Sequence, residues 1–132
     1  MSQENVNIVR LAHAEFERGN FWVPELFHPD VRIVWLSAIN GQEETTVGLA
    51  GMSRVVVDWV HSWEQVTLVA EQFVDAGDQV VVIGDWKGRG KASGVAVAWR
   101  HGAVWTLREG KATSVVSYSD ADAALQAVGL SG

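Results

Sequence analysis

The chain has 132 residues, 48% hydrophobic and 20% charged, with ten Lys and Arg against sixteen Asp and Glu for a net charge of −6, no cysteine and seven tryptophans. A chain of this length buries about two-thirds of its unfolded surface, enough for one domain over residues 1–132, and the lack of cysteine excludes a disulfide scaffold, a thiol enzyme and a Cys-ligated zinc site. The acidic balance argues against nucleic acid and anionic membrane as partners, and no apolar run approaches the roughly 20 residues of a spanning helix, so a cytoplasmic protein is expected.

Residues 4–18 carry Val6, Val9, Ala12 or His13, and Phe16 at helical spacing, and Gly19-Asn20 closes this amphipathic run. Residues 21–27 are apolar, with Pro24 admissible in a first turn, which predicts a second, short helix ended by His28-Pro29-Asp30. Residues 31–36 are β-branched and aromatic, a strand, and residues 37–46 form a polar loop of the kind that borders a site. Over residues 48–63, Met52, Val55, Val56, Trp59, Val60 and Trp63 recur every three or four positions, marking a third helix whose packing overrides the low propensity of its valines.

From Glu64 the apolar period becomes two, giving strands at 65–75, 79–87, 95–108 and 112–119. Their joints are Ala76-Gly77-Asp78, the segment 88–94, and Glu109-Gly110. Ser119 or Asp120 then caps a last helix over 121–128. Helices followed by a run of antiparallel strands predict an α+β arrangement. Val80 and Val82 are apolar on one parity and Val81 and Ile83 on the other, so both sheet faces are expected to be buried, the second through a homodimer.

Several segments carry a family likeness: Ala14-Glu15-Phe16-Glu17-Arg18-Gly19-Asn20, Leu26-Phe27-His28-Pro29-Asp30-Val31, and Asp75-Ala76-Gly77-Asp78-Gln79-Val80-Val81-Val82. Val104-Trp105-Thr106-Leu107-Arg108-Glu109-Gly110-Lys111 and Tyr118-Ser119-Asp120 complete the set. On these, and over nearly its whole length, the chain resembles the NTF2-like superfamily and, within it, the SnoaL-like polyketide cyclase group. The resemblance implies a cone, a strongly curved antiparallel sheet wrapped around the N-terminal helices, with an internal apolar cavity. It implies little about chemistry, because the matching residues are turns, caps and packing positions.

Two relatives' mechanisms are not supported residue by residue. Where ketosteroid isomerases carry a shuttle Asp, a helix Tyr and a protonated Asp, this chain has residues near Trp35, Ala12 and Val104. Where limonene epoxide hydrolases carry an Asp–Arg–Asp set, it has Ser117 for the final Asp, with Asp85 retained and Ile83 in the place of the Arg. The SnoaL cyclases' His/Asp arrangement is more compatible. If the 88–94 hairpin turns near Ala92-Ser93-Gly94, Asp85 stands opposite His101; with a turn one residue earlier it stands opposite Arg100.

An Asp85–His101 pair would orient the imidazole and raise its basicity, as general acid–base work requires; the alternative is a solvated Asp85–Arg100 ion pair. Trp35, Trp59, Trp63, Trp99, Ser117 and Tyr118 are the expected ligand-lining residues, since indoles wall apolar pockets. His13 and His61 are expected at helix boundaries and His28 in a turn; no histidines stand at metal-ligand spacing, and neither a metal nor a cofactor is expected. The expected function is binding of a small, apolar, ring-containing organic molecule, with cofactor-independent isomerase, cyclase or hydrolase chemistry as its enzymatic form. The alternative is a non-catalytic interaction or assembly domain whose cavity is closed by tryptophans.

Overall fold

The apolar stripe of the first sixteen-residue helix, α1 (Ser2–Glu17), buries Val6, Val9, Ala12 and His13 against the sheet. It ends in a Schellman-type turn, with Gly19 N–H donating to Phe16 C=O and Asn20 N–H to Glu15 C=O, both at 2.9 Å. The computed structural model describes residues 2–36, 43–118 and 120–129; the side chains at positions 2, 35, 36, 43, 44 and 99 stand outside that description.

The short second helix expected over 21–27 is reduced to one 3-10 turn, Pro24–Leu26, and the chain enters strand β1 (Phe27–Leu36) four residues earlier than expected. Pro24 starts a turn readily, but Phe27 and Val31 are both buried in the main core, and Phe27 pairs with Ala112 in the sheet. Burying two such side chains is worth about 1.5–3 kcal/mol each, which outweighs a second turn of helix. The polar loop expected over 37–46 lies outside the described residues at 37–42, and its last part is strand β2 (Glu43–Val47), antiparallel to β1. Helix α2 (Leu49–His61) follows, with Gly48 as its N-cap residue and Met52 buried.

The remaining strands are β3 (Trp63–Ala76), β4 (Gln79–Gly90), β5 (Ala96–Arg108) and β6 (Lys111–Tyr118), before helix α3 (Ala121–Ala127). Glu109 and Gly110 both have positive φ, 53° and 81°, the requirement of the two-residue turn that matches strand twist in a hairpin. Asp120 caps α3, accepting from Ala123 N–H at 2.7 Å.

The six strands form one curved, unclosed sheet in the order β2-β1-β6-β5-β4-β3. It is mixed and not purely antiparallel as expected, because β1 runs parallel to β6. Helices α1 and α2 pack on one face, here the inner face, over Val80, Val82, Ala103, Trp105 and Leu107. Helix α3 packs on the other, outer face over a second core of Val81, Ile83, Val104 and Ala124. The second apolar parity is therefore covered, at this end of the sheet, from within the chain. Among the described residues no helix is long and apolar enough to cross a membrane.

Candidate functional site

Strands β4 and β5 decide which side chains meet. Their register sets Asp85 opposite Arg100 and Gly84 opposite His101, so the hairpin turns one residue earlier than an Asp85–His101 pairing needs. Successive side chains of a strand point to opposite faces, and a slip of one residue exchanges them. Asp85 accordingly lies on the outer face, where its Oδ1 is 3.6 Å from Arg100 Nη1. Arg100 also donates to both carboxylate oxygens of Glu71, at 2.6 and 3.1 Å, and this fork holds the Glu71 carboxyl below its usual range. Both partners are about half exposed, which makes this a solvated cross-strand network of small energetic weight. The expected Asp85–His101 couple is not formed.

His101 points to the inner face and is buried, with Trp86 as its partner. The Trp86 indole N–H lies 2.9 Å from His101 Nδ1 and 3.1 Å from Nε2, the rings set edge to face with centroids 5.5 Å apart. An indole N–H can only donate, so the ring nitrogen it addresses keeps its lone pair and the imidazole stays neutral. Burial acts in the same direction, pushing His101 down to about 4.

On the facing helix, His13 is buried too, and is pushed down to about 3 by desolvation first and by the charge of His101 second. Its ring sits among Phe16, Phe73 and Trp105, with centroids 5.0, 5.6 and 6.0 Å away, and its Nδ1 has no hydrogen-bond partner among the described residues. His13 and His101 are the only buried polar side chains described.

A partly buried aromatic cluster adjoins the two imidazoles. Phe16 stacks on Phe21 at 5.6 Å and Phe21 on Trp86 at 6.4 Å, while Trp59 meets Trp86 edge to face at 4.6 Å and lies tilted against Trp63 at 5.9 Å. The cluster draws on α1, the segment before the 3-10 turn, α2, β3 and β4, so tertiary packing alone assembles it. Gly88 admits Trp63 to β4, for a Cβ there would lie 2.7 Å from the Trp63 ring.

Of the expected lining residues, Trp59 and Trp63 are brought together in this cluster. Ser117 stands opposite Ala103, on the inner face, and Trp35 stands opposite Ser117. Trp99 pairs with Trp86 in the ladder; the side chains of Trp35 and Trp99 lie outside the described residues. Tyr118 stands opposite Gly102 and packs on the outer core beneath α3, so it is not a mouth residue of the inner face. His13 and Trp86 were missed as site residues, although the three- and four-residue spacing of Val9, His13 and Phe16 carried a signal for the first. Among the described residues, no group of three or more His, Asp or Glu could hold a metal ion. A groove of about 420 Å³ lies elsewhere, along Gln65, Thr67, Lys87, Arg89, Ala96 and Ala98.

A family model, the SnoaL-like domain, matches residues 10–115. Among solved structures, TerC co-crystallised with polyporic acid is 24% identical, with 95% of this chain and 98% of that one covered at a TM-score of 0.74. An NTF2-like protein of unknown function from Burkholderia pseudomallei is 19% identical over 96% of this chain and 98% of its own, at a TM-score of 0.78. A protein from Jannaschia described as a SnoaL-like polyketide cyclase is also 19% identical, over 96% and 92%, at 0.77. Likeness at these identities establishes the fold and leaves the chemistry to the residues. No functionally curated relative matches the sequence.

Proposed function

The chain belongs to the SnoaL-like domain family, and from that membership we propose that it binds a small, largely apolar, ring-containing organic molecule against the inner face of its sheet. What supports this is one juxtaposition: a partly buried cluster of Phe21, Trp59, Trp63 and Trp86 beside two buried, neutral imidazoles. Aromatic surface contributes affinity for rings, and a few polar atoms set their orientation. Ser117 belongs to the same face by register. An acid–base step at this face runs through the imidazoles, because Asp85 faces the other way. With a pKa of about 4, His101 is a weak base at neutral pH and acts mainly as a hydrogen-bonding group.

Tryptophan emission during a titration panel of polycyclic and terpenoid compounds tests the reading. At least one compound is expected to give a saturable quench or shift, with affinity falling tenfold or more in Trp86→Ala, as for a central aromatic contact. A panel without effect favours the second reading, an interaction or assembly domain whose interior the tryptophans fill. That alternative draws on the edge-to-face contact of Trp59 and Trp86, at 4.6 Å a closed packing of the cluster on itself.

A further inference from the structure

We propose that the groove on the outer face of the sheet binds small organic phosphates, with Lys87 and Arg89 holding the phosphate group and Ala96 and Ala98 receiving the organic part. At about 420 Å³ the groove has the size of a small-molecule site, and it stands on the face opposite the aromatic cluster, so the proposal is independent of the inner-face reading. Strand alternation turns Lys87 and Arg89 outward together, with Cα atoms about 6.5 Å apart along β4. Register sets Thr67 and Gln65 of β3 beside them on one side, and Ala98 and Ala96 of β5 on the other. The floor of the groove therefore changes across three strands, from neutral hydrogen-bonding groups through two cations to methyl groups.

The charge of the ligand follows from what the groove lacks. Neither cation enters an ion pair among the described residues, and no carboxylate lines the groove. Asp85 and Glu71, the acids that follow along this face, are engaged by Arg100. Arg89 Nη1 donates to the Gly94 carbonyl at 2.7 Å, which steadies the guanidinium and leaves its other N–H groups for a ligand. A phosphate monoester carries nearly two charges at neutral pH and three terminal oxygens, so it can engage both cations and a Thr67 or Gln65 donor at once. A carboxylate offers one charge and two oxygens to the same four side chains. The net charge of −6 does not cancel this attraction, because physiological salt screens charges beyond about 8 Å. Two cations match one phosphate group and not the repeated charges of a nucleic acid.

NMR titration of the isotope-labelled full chain at pH 7 with phenyl phosphate, benzoate, phenol and inorganic phosphate tests the site. Phenyl phosphate should move the side-chain resonances of Lys87, Arg89 and Ala98 together and to saturation, while those of Trp59 and Trp86 stay still. It should bind at least tenfold more tightly than phenol, and at least threefold more tightly than benzoate or inorganic phosphate. Lys87→Gln and Arg89→Gln, both at exposed positions, should each weaken it at least fivefold, and Ala98→Glu, which sets a carboxylate in the groove, should abolish it. Phenol bound as tightly as phenyl phosphate, or affinity unchanged in both glutamine variants, overturns the anion site and leaves the inner-face reading standing. Inorganic phosphate bound as tightly as phenyl phosphate overturns the role of the alanines. Movement confined to Trp59 and Trp86, or none at all, overturns the whole proposal. So does an affinity that falls as protein concentration rises while sedimentation shows association, since a second copy then fills the groove. Should a variant fail to fold, the wild-type comparison of the four probes decides the matter.

Discussion

A single hydrogen bond, from the Trp86 indole to the His101 imidazole, fixes much of the character of the inner face. Burial holds His101 neutral, the state this bond requires of it, and burial does the same for His13, so the molecule carries two imidazoles that take up protons only in acid solution. Their pKa values of about 4 and about 3 compare with an ordinary 6.5, so between pH 6.5 and 4 the unfolded chain binds more protons than the folded one. Their contribution to stability is therefore fully present above pH 6.5 and is lost as the pH falls toward 4. Each histidine adds a limiting slope of about 1.4 kcal/mol per pH unit. Urea unfolding between pH 6.5 and 5, above the range where most carboxylates titrate, should show stability falling with acidification, and His13→Phe should remove about half of that slope. An unchanged slope in the variant would contradict the burial of a neutral His13.

The same residues mark the limit of what the sequence disclosed. Periodicity placed Asp85 and His101 on adjacent strands, but whether they met depended on a one-residue choice in the turn, and strand alternation converts that choice into opposite faces. The stripe that carried His13 was legible, whereas its unpartnered Nδ1 is a property of surrounding rings contributed by β3 and β5. Trp86 could not be singled out among seven tryptophans, because its partners are Phe21, Trp59 and His101 from three other segments.

At the scale of elements, helix and strand identities were largely readable, and the departures share a cause. Residues 21–27 and 43–47 were expected as helix and loop from local chemistry, yet Phe27 is drawn to Ala112, and residues 43–47 pair with β1 over Arg32–Leu36. Long-range pairing overrode local preference in both places. Helix α3 shows the converse: its cap and extent were legible, but not that it would cover Val81, Ile83 and Val104.

That packing is close, since a Cβ on Gly102 would lie 2.6 Å from the Ala124 Cβ and 3.2 Å from the Ala121 Cα. Gly102→Ala should therefore displace α3 and cost about 1–3 kcal/mol, as overpacking typically does. Chemical denaturation measures it, and a loss below about 0.5 kcal/mol would mean that α3 rides loosely on the sheet.

For the whole molecule, the sheet separates two surfaces of different chemistry. The inner one is aromatic around two neutral imidazoles. The outer one is sealed by α3 at one end and turns to Lys87, Arg89, Ala98, Arg100, Glu71 and Asp85 beyond it.

The central claim, that the inner aromatic face receives the ligand, is tested most directly by NMR titration of the isotope-labelled chain with 2-naphthol. The side-chain resonances of Trp59, Trp86 and His101 should move together and saturate, while the side-chain resonances of Lys87, Arg89 and Ala98, on the outer face, stay still. Movement confined to those outer-face side chains, or no movement at all, would contradict it.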